Sequence, residues 1–343
     1  MSTFITQVAP DSLINSKGYP HFGHFDGIVS TLGLSEFAYF DTMDRPASTW
    51  AKHFDYKQFQ FVSIVTGRYV VGVALADIAY LGSAFCYTYE IKTNRLIEQT
   101  WLKPLKFGYS MTPSPCNGLA VIGREGGSIR FEIVDGLWRL ILDTKRLKAD
   151  VTLHPAALSL PLAMCSPTGY NGWTYTQKHN GLTVKGQLTI DHEPQPLNQA
   201  FAGYDFSAGY MRRDTSWRWA SINGQIDEGV IGLNLAAGVN ETGVTENVFW
   251  INGERYLLGP VQFDFDRYGL PGNVIWRIYS HDGRIDLEFS ARNCRSEKRN
   301  LLFFKSNFRQ YLGYFNGSVS DPQGRRYQLN NVLGLTEDHY ARW

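Results

Sequence analysis

The stretch Asp135-Gly136-Leu137-Trp138-Arg139-Leu140-Ile141-Leu142 contains the two signals that decide the fold of this sequence. Its Asp-Gly pair supplies the positive φ angles that a two-residue β-hairpin turn requires. The residues that follow alternate with the period of two typical of a β-strand, so that Trp138, Leu140 and Leu142 share one face. We interpret the stretch as a turn that opens a half-buried antiparallel strand.

The same two signals recur along the whole chain, whereas long helical periods do not. Three further dipeptides, Asn180-Gly181, Asn252-Gly253 and Asp282-Gly283, each separate two strand-like segments. Aromatic residues make up 14% of the sequence and glycines number 33, which favours many strands joined by tight turns. The sequence therefore predicts an all-β protein built from antiparallel hairpins.

A domain boundary is predicted near Pro155, Pro161 and Pro167, because proline cannot donate to a sheet ladder. With 343 residues, the chain is long enough for about two domains. We expect an N-terminal domain of residues 1–165 and a C-terminal domain of residues 166–343, each with enough strands for a barrel or a sandwich. The alternative is a single large, distorted sandwich.

The charge balance and the short apolar runs limit what this protein binds. Lys and Arg total 33 and Asp and Glu total 32, so the chain lacks the basic excess that is typical of proteins that bind nucleic acid or an anionic membrane. No apolar run approaches the length of about 18 residues that a membrane span needs. The first residues lack the pattern of a signal peptide, and the four cysteines are isolated. We expect a cytoplasmic protein that is a monomer or a weak homodimer.

Motifs for familiar cofactor and hydrolase chemistries are absent from the sequence. It has no glycine-rich dinucleotide or phosphate loop, no G-x-S-x-G turn and no H-E-x-x-H pattern. The densest histidine cluster, His21, His24 and Asp26, has a spacing that suits a turn, and no third histidine lies nearby. We favour a surface or packing role for this cluster and predict neither a metal site nor a cofactor.

The stretch Asp214-Thr215-Ser216-Trp217-Arg218-Trp219-Ala220-Ser221 carries the strongest functional signal. On a strand, Trp217 and Trp219 share one face and Arg218 points to the other. Two neighbouring indoles make a broad apolar wall whose N–H groups need partners. This wall is either core packing or one side of a ligand cavity, with Arg218 in a buried ion pair or facing that cavity.

Shortly before this strand, Tyr204 and Asp205 place a hydroxyl group and a carboxyl group among aromatic residues. Burial raises the pKa of a carboxyl group, which a general acid working near neutral pH requires. Asp205 is therefore either a catalytic acid, assisted by a hydrogen bond from Tyr204, or a residue that caps a turn. Other polar residues that interrupt apolar strands are candidate ligand contacts: Asn234, Asn240, Glu246, Asn247, Asp77 and Tyr80.

The C-terminal tail adds a further candidate pair, Glu337 and His339. An extended backbone places residues two apart on one face, so these two side chains can form a His–carboxylate pair that contacts a ligand. Chain ends usually fray unless they are tied down. Because Leu335, Tyr340 and Trp343 are large and apolar, we expect this tail to dock onto the fold.

Several of these stretches resemble the bacterial domain-of-unknown-function family 2804. The resemblance rests on five of them: Ala76-Asp77-Ile78-Ala79-Tyr80-Leu81-Gly82, Thr215-Ser216-Trp217-Arg218-Trp219-Ala220, Gly232-Leu233-Asn234-Leu235 with Gly238-Val239-Asn240, Thr245-Glu246-Asn247, and Glu337-Asp338-His339-Tyr340-Ala341-Arg342-Trp343. That family is similar to AttH-like and carotenoid 1,2-hydratase proteins of the calycin, or lipocalin-like, group. The resemblance implies two lipocalin-like antiparallel β-barrel domains packed side by side, with a large apolar ligand inside one barrel or between the two.

The resemblance also implies relatives that include hydratases, pericyclases and lipid-binding proteins. Many AttH-like relatives carry an Asp-His pair before the W-x-W strand, whereas this sequence has Asp205-Phe206 and lacks the histidine. A hydratase mechanism that depends on that histidine does not transfer, although Asp205 is available.

Three functions remain open. The first is a cofactor-independent hydratase, isomerase or cyclase, in which Asp205 transfers a proton and Trp217 and Trp219 stack on an isoprenoid- or lipid-like substrate. The second is a non-catalytic carrier of such a molecule. The third is carbohydrate binding or processing, which aromatic platforms beside acidic residues also suit.

Overall fold

The computed structural model describes residues 4–124, 127–240, 243–270, 273–301 and 304–343. Its elements in chain order are β1 (Thr6–Val8), β2 (Gly23–Asp26), α1 (Thr49–Asp55), β3 (Tyr56–Val65), β4 (Tyr69–Asp77), β5 (Leu81–Glu90), β6 (Arg95–Pro104), β7 (Tyr109–Met111), β8 (Gly118–Arg124), β9 (Gly127–Val134), β10 (Leu137–Thr144), β11 (Leu147–His154), β12 (Leu162–Thr168), β13 (Gly172–Ile190), β14 (Glu193–Pro194), β15 (Phe201–Tyr210), β16 (Asp214–Ile226), β17 (Gly229–Ala237), β18 (Val248–Ile251), β19 (Glu254–Leu257), β20 (Val261–Phe265), β21 (Ile275–Ser280), β22 (Ile285–Asn300), β23 (Lys305–Ser320) and β24 (Arg326–Arg342). The helix α1 begins after Ser48, whose side chain accepts a hydrogen bond from Ala51 N (3.1 Å). Within these ranges, no helix is long and apolar enough to cross a membrane.

The strands form two curled sheets, which confirms the prediction of an all-β protein with two lipocalin-like barrels. The first sheet has the strand order β6-β5-β4-β3-β15-β13-β11-β10-β9-β8-β7, and β1, β2, β12 and β14 pair off this path. The second sheet has the order β19-β18-β17-β16-β24-β23-β22-β21-β20. Among the described strands, the ladders are antiparallel except for the short pair β1–β2.

Each sheet curls around its own hydrophobic core, because apolar side chains alternate along its strands. In β10, Trp138, Leu140 and Leu142 point into the first core and are at most 2% exposed, as the alternation in this strand predicts. In the second core, Trp276 and Phe289 are fully buried. Burying one such side chain is worth about 1.5–3 kcal/mol, so these two cores are the main stabilising feature of the fold.

The C-terminal tail is a central strand of the second sheet. β24 ends at Arg342 and pairs with β16 on one side and with β23 on the other. Beyond it, the backbone N–H of Trp343 donates to Arg213 O (3.1 Å), and its indole N–H donates to Arg212 O (3.0 Å). The expectation that the tail docks onto the fold is therefore confirmed.

Two of the four predicted hairpin turns have the expected conformation. Asp135-Gly136 joins β9 to β10 with φ angles of 49° and 79°, and Asn252-Gly253 joins β18 to β19 with φ angles of 51° and 88°. Asp282-Gly283 lies in a longer connection between β21 and β22. The interpretation of Asn180-Gly181 as a hairpin is wrong, because β13 continues through this dipeptide as a bulge.

This bulge is a point where the two sheets meet. Asn180 Nδ2 donates to Ser221 Oγ (2.7 Å) in β16, and Gly181 N donates to Asn223 Oδ1 (2.9 Å) in the same strand. On β17, Gly232 lies so close that an added Cβ atom would be 2.5 Å from the backbone carbon of Asn180. Contacts between the sheets therefore hold the dipeptide in a strand although its local preference is for a turn.

The chain passes from the first sheet to the second between Tyr210, which ends β15, and Asp214, which begins β16. We expected a boundary at residues 165/166, but β13 and β15, which follow that point, pair within the first sheet. Pro167 does not interrupt β12, because β2 pairs with this strand only as far as Cys165 and leaves the position of Pro167 at an edge. Pro167 therefore occupies an edge position of the first sheet, and Pro155 and Pro161 lie in the connection between β11 and β12.

Candidate functional site

A cavity of about 200 Å³ lies between the outer faces of the two sheets. The strands β3, β4 and β5 turn alternate side chains into it from the first sheet, and β13 and β15 add polar ones. The second sheet contributes side chains of β16, β17, β22, β23 and β24. Most of the walls are apolar: Phe59, Phe61, Ala74, Ala76, Ile78, Phe85, Trp217, Trp219, Ala236 and Phe308.

Trp217 and Trp219 form one wall of this cavity, in keeping with their alternation along β16. The Trp219 indole N–H donates to Asn234 Oδ1 (2.7 Å), and the Trp217 indole N–H donates to Glu337 Oε1 (2.8 Å). The Trp219 ring also meets the ring of Phe61 edge-on, with centroids 5.8 Å apart. Because both indole donors are satisfied, the two rings can turn apolar surface towards a ligand.

Glu337 is a buried carboxyl group that faces the cavity from β24. It accepts a second hydrogen bond from Gln310 Nε2 (3.0 Å), and Tyr87 Oη orients this amide by donating to its Oε1 (2.8 Å). Burial raises the pKa of Glu337 to about 7, although the hydrogen bonds from Trp217 and Gln310 and the charge of Lys178 act in the opposite direction. Near neutral pH, this group can therefore both give and take a proton.

His339 lies two residues further along the same face of β24, as the predicted pair requires. Its Nδ1 is 3.7 Å from Glu337 Oε1, and its Nε2 is 2.9 Å from Ser306 Oγ. Its ring packs edge-on against Trp217 and Phe308, with centroids 4.3 and 5.0 Å away. Burial lowers the pKa of His339 to about 3, so the imidazole is neutral at pH 7. Among the described residues, its Nδ1 has no hydrogen-bond partner.

A second polar cluster in the cavity contains Asp205, Lys178 and Glu246. Lys178 Nζ lies 2.8 Å from Asp205 Oδ2 and 2.8 Å from Glu246 Oε2. Asp205 also accepts a hydrogen bond from Ser207 Oγ (2.8 Å), and Glu246 accepts one from Asn240 Nδ2 (3.1 Å). Burial alone would lower the pKa of Lys178, but the two carboxylates outweigh it and raise this pKa above its ordinary value. The lysine therefore stays charged.

Asn234 and Asn247 position Glu246 from outside the cavity lining. Asn234 Nδ2 donates to the backbone oxygen of Glu246 (2.7 Å), and Asn247 Oδ1 accepts a hydrogen bond from Ala236 N (2.7 Å). Asn240, besides contacting Glu246, accepts a hydrogen bond from Ser166 Oγ (3.1 Å). Only Asn234 lies within a strand, whereas Asn240, Glu246 and Asn247 belong to the connection between β17 and β18, which Asn234 and Asn247 hold against β17.

The family profile of the domain of unknown function DUF2804 matches residues 5–343 of the chain. The protein belongs to the DUF2804 family. No curated protein matches its sequence.

Three solved structures are similar in fold to this DUF2804 protein. Kievitone hydratase from Nectria haematococca is 16% identical, with a TM-score of 0.55 over 83% of this chain and 88% of its own. An AttH-type protein from Nitrosomonas europaea is 14% identical, with a TM-score of 0.52 over 82% and 91%. CghA, solved with Sch210972, is 11% identical, with a TM-score of 0.56 over 98% and 97%. At these identities the likeness establishes a shared fold.

Two of the residues predicted for the site, Tyr204 and Arg218, point away from the cavity of the DUF2804 protein. Each is next to a cavity residue on its strand and therefore faces the other side. Tyr204 lies in the first core, where its ring stacks on Trp138 (4.6 Å) and its hydroxyl accepts a hydrogen bond from Gln177 Nε2 (3.1 Å). Arg218 faces the second barrel, where its Nε lies 3.5 Å from Asp338 Oδ1. Neither side chain can contact a ligand in the cavity from this position.

Asp77 and Tyr80 are also absent from the cavity lining. Asp77 accepts hydrogen bonds from Ala79 N (2.8 Å) and from Tyr109 Oη (3.1 Å), and it pairs with Lys106 Nζ (3.1 Å). This carboxylate therefore stabilises the turn after β4. Its position at the end of an apolar strand, which suggested a ligand contact, is explained by that turn.

The N-terminal histidine cluster of the DUF2804 protein contacts the second sheet. His24 Nε2 lies 2.7 Å from Thr245 O, and Asp26 forms an ion pair with Arg255. His24 thus has the packing role that its spacing favoured. The described ranges contain no group of three His, Cys, Asp or Glu side chains arranged to hold a metal ion.

Lys178, Gln310 and Arg295 belong to the cavity although the sequence did not indicate them. The guanidinium carbon of Arg295 lies 3.9 Å from the ring centroid of Phe85, and its Nε lies 2.6 Å from Glu98 Oε2. The alternation of side chains along β13 is enough to place Lys178 on the same face as Thr174 and Thr176. Alternation within one strand does not show which residues of another strand lie opposite that face.

Proposed function

We propose that this DUF2804 protein is an enzyme of the hydratase, isomerase or cyclase type that acts on a large apolar molecule in the cavity between its sheets. The observation that carries the proposal is Glu337, a buried carboxyl group with a pKa of about 7 beside apolar walls. A group with this pKa serves as an acid or a base at neutral pH, which is the requirement for general acid–base catalysis. The protein's own side chains then supply the proton transfer.

The apolar walls favour an isoprenoid- or lipid-like substrate. The rings of Phe61, Phe85, Phe308, Trp217 and Trp219 surround the space in front of Glu337. Apolar surface that enters this cavity leaves water, which supplies binding free energy of roughly 25 cal/mol per Å². The faces of aromatic rings also attract the positive charge that develops on carbon when a double bond is protonated.

Glu337, His339 and one water molecule are sufficient for a hydration step. Glu337 donates its proton to one carbon of an isolated double bond, and positive charge develops on the neighbouring carbon. A water molecule forms a C–O bond there and returns a proton to the Glu337 carboxylate, so that only water is consumed. The neutral His339, whose Nδ1 is 3.7 Å from Glu337 Oε1, is placed to orient this water. In an isomerisation, the carboxylate would instead remove a proton from another carbon.

Asp205 has a binding role in this proposal. Its carboxylate pairs with Lys178 at 2.8 Å, whereas Glu337 accepts hydrogen bonds only from neutral donors among the described residues. The Asp205 carboxylate is already engaged by the charge of Lys178, which suits it to hold a polar group in place. We therefore assign proton transfer to Glu337, and we assign to the Lys178 cluster the anchoring of a hydroxyl or carbonyl group of the substrate.

The alternative is a non-catalytic carrier, which the apolar walls alone would support. A carrier needs no group that transfers protons at neutral pH, and burying a carboxyl group lowers the stability of the folded protein. Glu337 is thus the feature that favours an enzyme over a carrier. Carbohydrate binding has weaker support, because the cavity walls are mostly apolar.

The test begins with the molecule that native mass spectrometry recovers on the protein purified from its own host. The wild-type protein should convert this molecule to a hydrate or to an isomer of equal mass. Glu337→Gln should still bind it but should convert it about 10²–10⁴ times more slowly. Glu288→Gln changes an exposed glutamate on β22 and is the matched control, with activity expected at the wild-type level.

Two results would overturn the proposal. If neither wild-type protein nor Glu337→Gln changes the bound molecule, the protein is a carrier. If Glu337→Gln converts it at the wild-type rate, the acid lies elsewhere in the cavity, and Asp205→Asn becomes the next variant to measure.

A further inference from the structure

Asp338 follows Glu337 in β24, and three arginines surround its carboxylate on the opposite face of the strand. Arg267 Nε and Nη2 donate to its two oxygens at 2.7 and 2.9 Å. Arg309 Nη1 lies 3.3 Å from Oδ2, and Arg218 Nε lies 3.5 Å from Oδ1. This cluster therefore brings together three positive charges and one negative charge, in a chain whose net charge is only +1.

The register of three strands creates this arrangement. Arg218 of β16, Asp338 of β24 and Arg309 of β23 lie directly opposite one another in the ladder. Because adjacent strands are about 4.8 Å apart, the two guanidinium groups approach the carboxylate from either side. Arg267 follows β20, an edge strand of the same sheet, and reaches the carboxylate from there.

Two of the three arginines have donors to spare. Arg267 makes the bidentate contact that a guanidinium and a carboxylate prefer. Arg218 and Arg309 each make one long contact to Asp338, and each carries five N–H donors. Within the described residues, no other acceptor is within hydrogen-bond distance of either group. Their side chains are 31% and 17% exposed, so a solute can reach them.

We propose that Arg218 and Arg309 bind the carboxylate or phosphate group of a small molecule at this end of the second barrel. Paired guanidinium groups recognise both kinds of oxyanion by parallel N–H···O hydrogen bonds. The negative charge of Asp338 weakens the attraction of the arginines for an anion but does not cancel it, because three positive charges surround this one carboxylate. The site lies across β24 from Glu337, so it does not depend on the function proposed for the cavity.

The test is a titration with inorganic phosphate and, separately, with acetate, at constant ionic strength and followed by calorimetry. We expect saturable binding of at least one of the two anions to wild-type protein, and the tighter one identifies the group that the site prefers. Arg218→Gln and Arg309→Gln should each weaken this binding about tenfold or more, because each removes a charge-assisted hydrogen bond. Arg277→Gln alters an exposed arginine on β21 and should bind as wild type does.

Further outcomes separate recognition from general attraction. Arg309→Lys keeps the charge but loses the planar fork, and we expect an affinity between those of wild type and Arg309→Gln. Absence of saturable binding to wild-type protein would overturn the proposal. So would equal affinities in wild type, Arg218→Gln and Arg309→Gln. Circular dichroism of each variant establishes that the fold is retained.

Discussion

Glu337 and Asp338 are neighbours in β24, but their side chains enter opposite environments. Glu337 faces the cavity between the sheets, where the neutral donors of Trp217 and Gln310 hold it. Asp338 faces the second barrel, where three arginines surround it. The role of an acidic residue in this fold therefore depends on which side chains the flanking strands place opposite it.

The physical reason is the charge of the partners. Neutral donors stabilise a carboxylate only by hydrogen bonds, so burial dominates and raises the pKa of Glu337 to about 7. Arginines supply full opposite charge, so Asp338 serves as the centre of an ionic row. One face of β24 is thereby suited to proton transfer and the other to binding an anion.

The cavity face also has an ionic cluster, and its charge balance is the reverse of that around Asp338. Lys178 is shared by two buried carboxylates, Asp205 and Glu246. The largest effect is expected where this single cation is removed. Lys178→Met should lower the free energy of unfolding by about 3–5 kcal/mol, because it leaves two buried charges without their partner. Urea denaturation at pH 7 measures this loss.

A matched variant distinguishes charge from packing. Adding Asp205→Asn and Glu246→Gln to Lys178→Met removes the unpaired charges and should restore much of the lost stability. A loss below about 1 kcal/mol for Lys178→Met alone is typical of exposed ion pairs. That result would mean that charged side chains are no more costly to bury on the cavity face than on the Asp338 face.

The stability of the cavity face depends on pH in two opposing ways, because the pKa values of Glu337 and His339 shift in opposite directions. The pKa of Glu337 rises from 4.5 to about 7 on folding, so its stabilising contribution is complete below pH 4.5 and is lost as the pH rises through 7. The pKa of His339 falls from 6.5 to about 3, so its contribution is complete above pH 6.5 and is lost as the pH falls through 3. The two contributions oppose each other between pH 4.5 and 6.5.

Single variants separate these two contributions. Glu337→Gln should remove a loss of about 2–3 kcal/mol between pH 4.5 and 7, since one pKa unit corresponds to about 1.4 kcal/mol. His339→Gln should expose that same loss by removing the opposing contribution. The measurement is the free energy of unfolding at several pH values in this range. Identical pH profiles for wild type and Glu337→Gln would contradict the environment that we describe for Glu337.

The predictable part of the fold lies in signals that a few consecutive residues contain. The turn at Asp135-Gly136 needs only positive φ angles and alternating neighbours, and the structure has both. Asn180-Gly181 has the same local signal but forms a bulge, because Ser221, 41 residues away in the chain, accepts a hydrogen bond from Asn180. No local pattern contains a contact of that kind.

The site follows the same rule. Alternation places Trp217 with Trp219 and Glu337 with His339, and it also separates Tyr204 from Asp205 and Arg218 from the tryptophans. The position of Arg218 on the other face is therefore the predicted one, and the same rule turns Tyr204 away from Asp205. The hydrogen bond from Trp217 to Glu337 spans 120 residues and depends on the register of β16 against β24, which the sequence does not show.

The cavity also requires the two sheets to lie close together, and Gly232 is a position where their backbones come close enough for a single added methyl group to test this. A Cβ atom there would lie 2.5 Å from the backbone carbon of Asn180. Gly232→Ala should lower the free energy of unfolding by about 1–3 kcal/mol, because the backbones must move apart. Gly224→Ala in β16 is the matched control, since its Cβ would meet only Val332 Cγ1 at 3.5 Å. Equal stabilities of the two variants would show that the sheets are not held at this distance.

The smallest loss of stability is expected from Arg267→Gln on the Asp338 face, where two other arginines also contact the carboxylate. Although this arginine makes the best contact to Asp338, Arg218 and Arg309 remain within 3.5 Å of the carboxylate after its removal. Its side chain is also 36% exposed, and ion pairs of this kind contribute about 0–1 kcal/mol. Urea denaturation should therefore show a loss below about 1 kcal/mol, against several for Lys178→Met. A loss as large as that of Lys178→Met would mean that Asp338 depends on one cation, as Asp205 and Glu246 do, and the two faces of β24 would then no longer differ in how they hold charge.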